Sequence, residues 1–286
     1  MLNKFALGAA QFGLDYGVAN SKGQVQIEEV ESILECAKEN SIDTLDTAAS
    51  YGNSEQVLGG VGVDNYQIIT KTTSLKHGVD EVIKGFYRSL KYLNQKSVDG
   101  LLVHDINEVN DKEFNDLFQR LNELKQQGLV NKIGFSTYTP KEVDFLLKNF
   151  DFDLIQVPFN IFDRRLIDSG MLSILKNKGI EVHARSVFLQ GLLLMSEQNR
   201  PDKFNRWSGL WKIWHEWLND NQITALEATI RYAISMSEIS KVLVGVDTKD
   251  QLKEIVIASS GVLPSIPDEM FTNDVDLLSP SNWGKL

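Results

Sequence analysis

The stretch "KIGFSTYTPKEVDFLLK", residues 132–148, changes its periodicity part-way along. Its first part, "KIGFST" (132–137), is a short run rich in β-branched and aromatic residues, the composition of a strand. Thr139 then stands at an N-cap position with Pro140 at N1, and residues 141–148 carry apolar side chains at helical spacing. A second strand-like run, "LIQVPF" (154–159), follows at once. Strand, helix and strand in so short a span make a βαβ unit with its two strands parallel.

The same alternation extends in both directions. Strand candidates are "FALGAA" (5–10), "TLDTA" (44–48), "YQIITKT" (66–72), "GLLVHD" (100–105), "EVHARSV" (181–187) and "KVLVGV" (241–246). Amphipathic windows lie at 28–39, 80–93, 111–127, 141–148, 169–178, 225–236 and 249–258, and Gly128 and Gly179 supply helix stops. Repeated βα units with no linker predict an α/β fold of the (β/α)8 TIM-barrel class, with residues 1–286 as one domain. A doubly wound open sheet is the alternative, but no GxGxxG follows the first strand, and "LGGVGVDN" (58–65) lacks the spacing.

The connection at 188–222 is long for a compact domain, and long loops often carry function. It holds Trp207, Trp211, Trp214 and Trp217 at intervals of three or four, a short helix with an indole stripe. The stripe admits two readings, packing of the loop onto the barrel or a wall for a substrate. On the second, Trp207 and Trp211 join Phe12 and Phe159 at the pocket.

Composition narrows the function classes. The net charge of −10 opposes a general nucleic-acid or anionic-membrane surface. Cys36 is the one cysteine, so no internal disulfide forms, and its neighbours Val30, Ile33, Leu34 and Ala37 make it a helix-face core residue. No cleavable leader pattern, long apolar run or metal-ligand spacing occurs, so we expect a soluble cytoplasmic protein without a metal.

In a barrel the strand C-termini converge on one rim, where active sites are built. Asp46 ends the second strand, Tyr51 follows in "LDTAASYG" (45–52), Lys71 ends the third and His104 the fourth. Each alone has a plain structural use as a turn cap, a surface charge or a core hydrogen-bonder. Together they suit carbonyl reduction. A phenol titrates near ~10 in water, and an adjacent ammonium stabilises the phenolate. Lys71 is that ammonium, Asp46 its counter-charge, and His104 a hydrogen-bonder for the carbonyl oxygen.

These motifs resemble the aldo-keto reductases over essentially the whole chain. The resemblance implies a barrel oxidoreductase reducing an aldehyde or ketone with a nicotinamide cofactor, Tyr51 as proton donor and Asp46, Lys71 and His104 around it. It also implies that Ser136 and Gln156 bind the nicotinamide carboxamide. Arg185 takes the place where a tyrosine often stacks on the ring, and a guanidinium plane can stack as well; Ser186 beside it is a further expected cofactor contact. In "GVDTKDQLKEI" (245–255), Gly245, Thr248, Gln251 and Glu254 fall at the adenosine end.

NADPH is the expected cofactor, with NADH as the alternative because basic residues for a 2′-phosphate are thin at that end; Lys249 and Lys253 are the nearest candidates. The expected partner is a small carbonyl compound, with no nucleic acid and no membrane. Two other readings stand beside this one, a slow cofactor-binding redox sensor on the same barrel and an isomerase-type phosphate-ligand barrel. The substrate, its direction of turnover and the oligomeric state are not encoded in these motifs.

Overall fold

The computed structural model describes residues 4–18, 20 and 23–286. Among these, β1 (Phe5–Gly8), β2 (Thr44–Asp46), β3 (Gln67–Lys71), β4 (Val98–Val103), β5 (Val130–Ser136), β6 (Leu154–Pro158), β7 (Glu181–Arg185) and β8 (Lys241–Gly245) close into a parallel barrel in sequence order. Helices α1 (Ile27–Glu39), α2 (Ser54–Val61), α3 (Val79–Leu93), α4 (Phe114–Gln126), α5 (Pro140–Asn149), α6 (Arg165–Asp168) and α7 (Met171–Asn177) come between the strands. After β7 come α8 (Ser208–Asp220) and α9 (Ala225–Ser235), and after β8 come α10 (Lys249–Ala258) and α11 (Val275–Leu278). The predicted single-domain TIM barrel is the observed fold.

Local chemistry sets the element ends. Thr139 and Glu142 cap α5 reciprocally, and Thr224 and Glu227 do the same for α9, each pair satisfying two otherwise orphaned donors. The strands end one or two residues earlier than their composition predicts, and at the rim the Thr47, Thr72 and Thr137 amides still donate to the Ile69, Leu102 and Gln156 carbonyls of the neighbouring strands. Helix α2 falls outside the predicted windows. Its Gly59 and Gly60 are poor helix formers, yet a Cβ on Gly59 would come within 1.9 Å of the Tyr92 carbonyl oxygen. Close contact with α3 requires the glycine that hides this helix in the sequence.

Side chains two residues apart along a strand share a face, and this parity builds the site. Ile69, Leu102 and Leu154 form a small apolar plug inside the barrel, separate from the large core between strands and helices. A Cβ on Gly100 would touch both Ile69 and Leu154 side chains, so the glycine leaves room for the plug. Two residues beyond the plug, on the same inward face, come Lys71, His104 and Gln156. Register places Asp46 beside Ile69, Lys71 beside Leu102, and Ser136 beside Gln156.

Candidate active site

Above the plug, Lys71 is 1% exposed and donates from Nζ to Asp46 Oδ1 at 2.6 Å and to the Thr47 carbonyl at 2.9 Å. Gln156 Nε2 donates to the other oxygen, Asp46 Oδ2, at 2.7 Å. The carboxylate is therefore held from two sides. Burial opposes the charge on Lys71, but Asp46 and the Tyr51 hydroxyl outweigh it and raise its pKa above the ordinary lysine value. Lys71 is a buried ammonium at any neutral pH.

Tyr51 leans over that ammonium, with Nζ 5.0 Å from its ring centroid. Its ring meets His104 edge to face, at 5.8 Å and 82°. Two glycines hold it there. A Cβ on Gly13 would fall 1.9 Å from the Tyr51 carbonyl oxygen, and one on Gly52, at φ +56°, would fall 2.1 Å from that of Gly13. The loops after β1 and β2 thus cross backbone to backbone.

His104 Nδ1 lies 3.2 Å from Ser50 Oγ. Burial, and then the nearby Lys71 ammonium, depress its pKa to about 4. The imidazole is neutral at pH 7.

The rim opens into an elongated cavity of about 500 Å³ that runs from Tyr51 and His104 to Gln251 and Glu254 on α10. Of the residues predicted to bind cofactor, Ser136, Gln156, Arg185, Ser186, Gly245, Gln251 and Glu254 line it. Thr248 does not. Its hydroxyl caps α10 by accepting from the Gln251 amide.

Arg185 lines the cavity with its guanidinium anchored by its own neighbours. Its guanidinium lies 4.4 Å from the Tyr138 ring centroid and donates to the Thr137 carbonyl at 2.9 Å and to Ser186 Oγ at 3.2 Å, so one face of its plane is already stacked.

The aromatic wall predicted from the sequence is not on this cavity. Phe12 is buried because the short 3-10 turn Ala10–Phe12 rotates successive side chains by about 120°, which brings Gln11 to the cavity and Phe12 to the interior. Phe159 follows the parity of Ile155 and Val157, opposite to Gln156, and stacks on Tyr232 of α9 at 5.2 Å. Trp211 donates to the Phe204 carbonyl beneath the Arg200 guanidinium, and Trp207 donates to Asp274. The indole stripe packs α8 onto the chain's C-terminal segment. Buried indole N–H groups usually find an acceptor, and those of Trp211, Trp217 and Trp207 find it in Phe204, Ser265 and Asp274, while Trp214 packs edge to face on Phe162.

The walls missed in the sequence are Tyr16, Asn20, Tyr138, Phe188, Gln190 and Leu194. They lie on irregular segments, where no periodicity marks which side faces in.

Against sequence families, residues 4–271 match the model of the aldo/keto reductase family. The chain belongs to the aldo/keto reductase family. Among relatives of this aldo-keto reductase, an L-galactose dehydrogenase of Arabidopsis thaliana is 30% identical over 240 residues, 76% of this chain and 73% of the relative. The oxidoreductase sirO of Leptosphaeria maculans is 29% identical over 216 residues, which take in 70% of this chain but only 64% of that protein. A solved aldo-keto reductase from Bacillus halodurans, in its holo form, superposes with a TM-score of 0.72 at 20% identity, covering 92% of this chain and 88% of its own.

Membership makes the enzyme an oxidoreductase acting on carbonyl compounds, in a family that generally uses nicotinamide cofactors. Among the described residues no helix is long and apolar enough to cross a membrane, and no acidic, histidine or cysteine cluster could hold a metal.

Proposed function

We propose that this aldo-keto reductase converts an aldehyde or ketone to the alcohol, with Tyr51 protonating the carbonyl oxygen and a nicotinamide dinucleotide lying along the cavity. The observation that carries the reading is the buried Lys71 ammonium, bonded to Asp46 and lying under Tyr51 beside a neutral His104.

The cavity suits a dinucleotide in volume and lining. About 500 Å³ lies within the usual range of small-molecule sites. Amide and hydroxyl groups of Gln11, Ser136, Gln156 and Gln251 alternate with the apolar surfaces of Val187, Leu243, Val246 and Ile255. Ser136 and Gln156 are the residues to hold the carboxamide, and Gln251 and Glu254 those to meet the adenosine. A reduced nicotinamide, when bound, supplies the hydride that the carbonyl carbon accepts.

The chain's own residues handle the proton. The hydroxyl of Tyr51 gives its proton to the carbonyl oxygen as negative charge develops there, and the Lys71 ammonium holds the phenolate that results. Asp46 keeps Lys71 charged and in place. A hydroxyl proton from Ser50 to His104 Nδ1 leaves the imidazole proton on Nε2, where it donates to the carbonyl oxygen. Neutrality serves this geometry, since an imidazolium beside Lys71 would add a second buried cation.

The test is initial-rate oxidation of NADH and NADPH with aryl aldehydes, keto-sugars and dicarbonyls, comparing the wild type with Tyr51→Phe. We expect turnover to fall by about 10²–10⁴ while dinucleotide affinity, read by calorimetry, is retained. Undiminished turnover in Tyr51→Phe would remove Tyr51 from proton transfer.

A further inference from the structure

We infer that the adenosine end of the cavity is closed to a ribose 2′-phosphate, so that this enzyme takes NADH in preference to NADPH. The inference rests on the proposed dinucleotide site and reverses the cofactor expected from the family resemblance.

A 2′-phosphate carries close to two negative charges and needs cationic side chains or unengaged backbone N–H groups at a helix N-terminus. Arg185 is the only cationic side chain among the described residues that line the cavity. It stands beside Tyr138, bonded to the Thr137 carbonyl and Ser186. At the α10 end the charged wall residues are Asp247 and Glu254, both acids.

The two lysines that could have compensated are held by carboxylates. Lys249 Nζ donates to Glu35 at 3.0 Å, and Lys253 Nζ lies 3.5 Å from Asp250. Neither lysine lines the cavity.

Three amides at the helix N-terminus are engaged as well. The Lys249 amide donates to Glu29 Oε1 at 2.6 Å, the Gln251 amide to Thr248 Oγ1 at 3.2 Å, and the Asp247 amide to Gln251 Oε1 at 2.7 Å. Helix α1, packed along α10, thus places the Glu29 carboxylate where an incoming phosphate would otherwise find its donor, and Glu35 on the nearest lysine. A phosphate would displace these bonds and face Glu29, Asp247 and Glu254 together. A free 2′-hydroxyl carries no charge and donates to a carboxylate such as Glu254. The acids therefore act as repulsion against one dinucleotide and as acceptors for the other.

Calorimetry on the full-length protein tests this with four probes, NADH, NADPH, 5′-AMP and adenosine 2′,5′-bisphosphate; the last pair differs only in the 2′-phosphate. We expect NADH to bind at least about tenfold more tightly than NADPH, equal to about 1.4 kcal/mol, and 5′-AMP more tightly than the bisphosphate. Glu29→Gln/Glu35→Gln, which releases Lys249, is expected to tighten NADPH by about threefold or more while leaving NADH within about twofold.

Glu254→Gln, on an exposed helix position, is a second variant expected to narrow the ratio without perturbing the fold. Preference for NADPH and the bisphosphate would overturn the inference and leave the oxidoreductase site standing. Failure of both dinucleotides to bind would overturn the site and the inference together. A ratio unmoved in both variants would overturn the assignment to these carboxylates.

Discussion

Two parts of the cavity lining are built differently. At the Tyr51 end, Asp46, Lys71 and Gln156 sit on strands or strand ends, are nearly inaccessible, and are bonded to one another. At the opposite wall the segment after β7 is irregular. Ser186, Leu189 and Gln190 have φ of 61°, 54° or less, all in the left-handed region that L-residues rarely adopt, and Gly191 follows at 89°. The first part is positioned by a ladder shared with the whole barrel, the second by local turns under strain. Substitutions in the first part should therefore disturb both stability and chemistry, and those in the second chiefly what binds.

The sharpest way to break this contrast is Lys71→Met. It removes the ammonium and leaves Asp46 buried with only Gln156 as its side-chain partner, and breaking a buried pair in this way costs about 3–5 kcal/mol. Urea denaturation should show that loss, and initial rates should show turnover lost with it. Native stability in Lys71→Met would mean that the pair contributes nothing beyond its own desolvation.

Gly13→Ala should be next in size. A Cβ there cannot coexist with the Tyr51 carbonyl, so the β2–α2 loop has to move. Overpacking of this kind costs about 1–3 kcal/mol, and a shift of about 1 Å at a reacting group can lower turnover by about 10². We expect a larger fall in kcat than in dinucleotide affinity. Equal falls in both would show that the glycine supports the cavity as a whole.

The pH dependence of stability sharpens the comparison further. His104 titrates at about 4 in the fold, below the ordinary value of 6.5, because burial and Lys71 disfavour its protonated form. A depressed folded pKa gives stability that is complete above about 6.5 and is lost as pH falls toward 4, by at most about 1.4 kcal/mol per pH unit. Glu181, inside the barrel at the start of β7, is lowered to about 2 by the hydrogen bond from His183, against burial and with help from Lys132. Its contribution is present above the ordinary 4.5 and is lost between there and about 2. Denaturation followed from pH 7 to about 2 should fall in two stages, and His104→Gln should remove the upper one alone. An unchanged upper stage in that variant would assign it to another group.

Sequence and structure agree best where the chain is periodic. All eight strands and the order of the barrel are legible, because short β-branched runs alternate with capped amphipathic helices. Positions at strand ends also put Asp46, Lys71 and His104, with Tyr51 in the loop after, on one rim. Helix α2 is hidden by Gly59, whose reason for being there is a tertiary contact with α3. The indole stripe is visible as a stripe, but its partners Asp274 and Ser265 lie about 50 to 70 residues away. Nothing local to 207–217 says which side they approach from. Phe12 and Phe159 fail for a narrower reason, one step of phase in a turn and one of parity past a strand end. The same limit hides Tyr16 and Tyr138.

Ser50→Ala is the smallest change and discriminates most finely. Ser50 lies exposed in the β2–α2 loop, and its hydroxyl is 3.2 Å from His104 Nδ1. Removing a polar contact at such a position should alter stability by less than about 0.5 kcal/mol. If that hydroxyl selects the imidazole tautomer, its loss lets the proton move to Nδ1 and deprives the carbonyl oxygen of a donor during part of the time. We expect kcat to fall by about three- to tenfold, with dinucleotide affinity and unfolding unchanged, and Ser50→Thr to restore most of the rate. An unchanged kcat in Ser50→Ala would mean that His104 keeps its proton on Nε2 without help, by its surroundings alone. The loop residue would then belong with the outer wall, and the tightly bonded end of the cavity would finish at the strands.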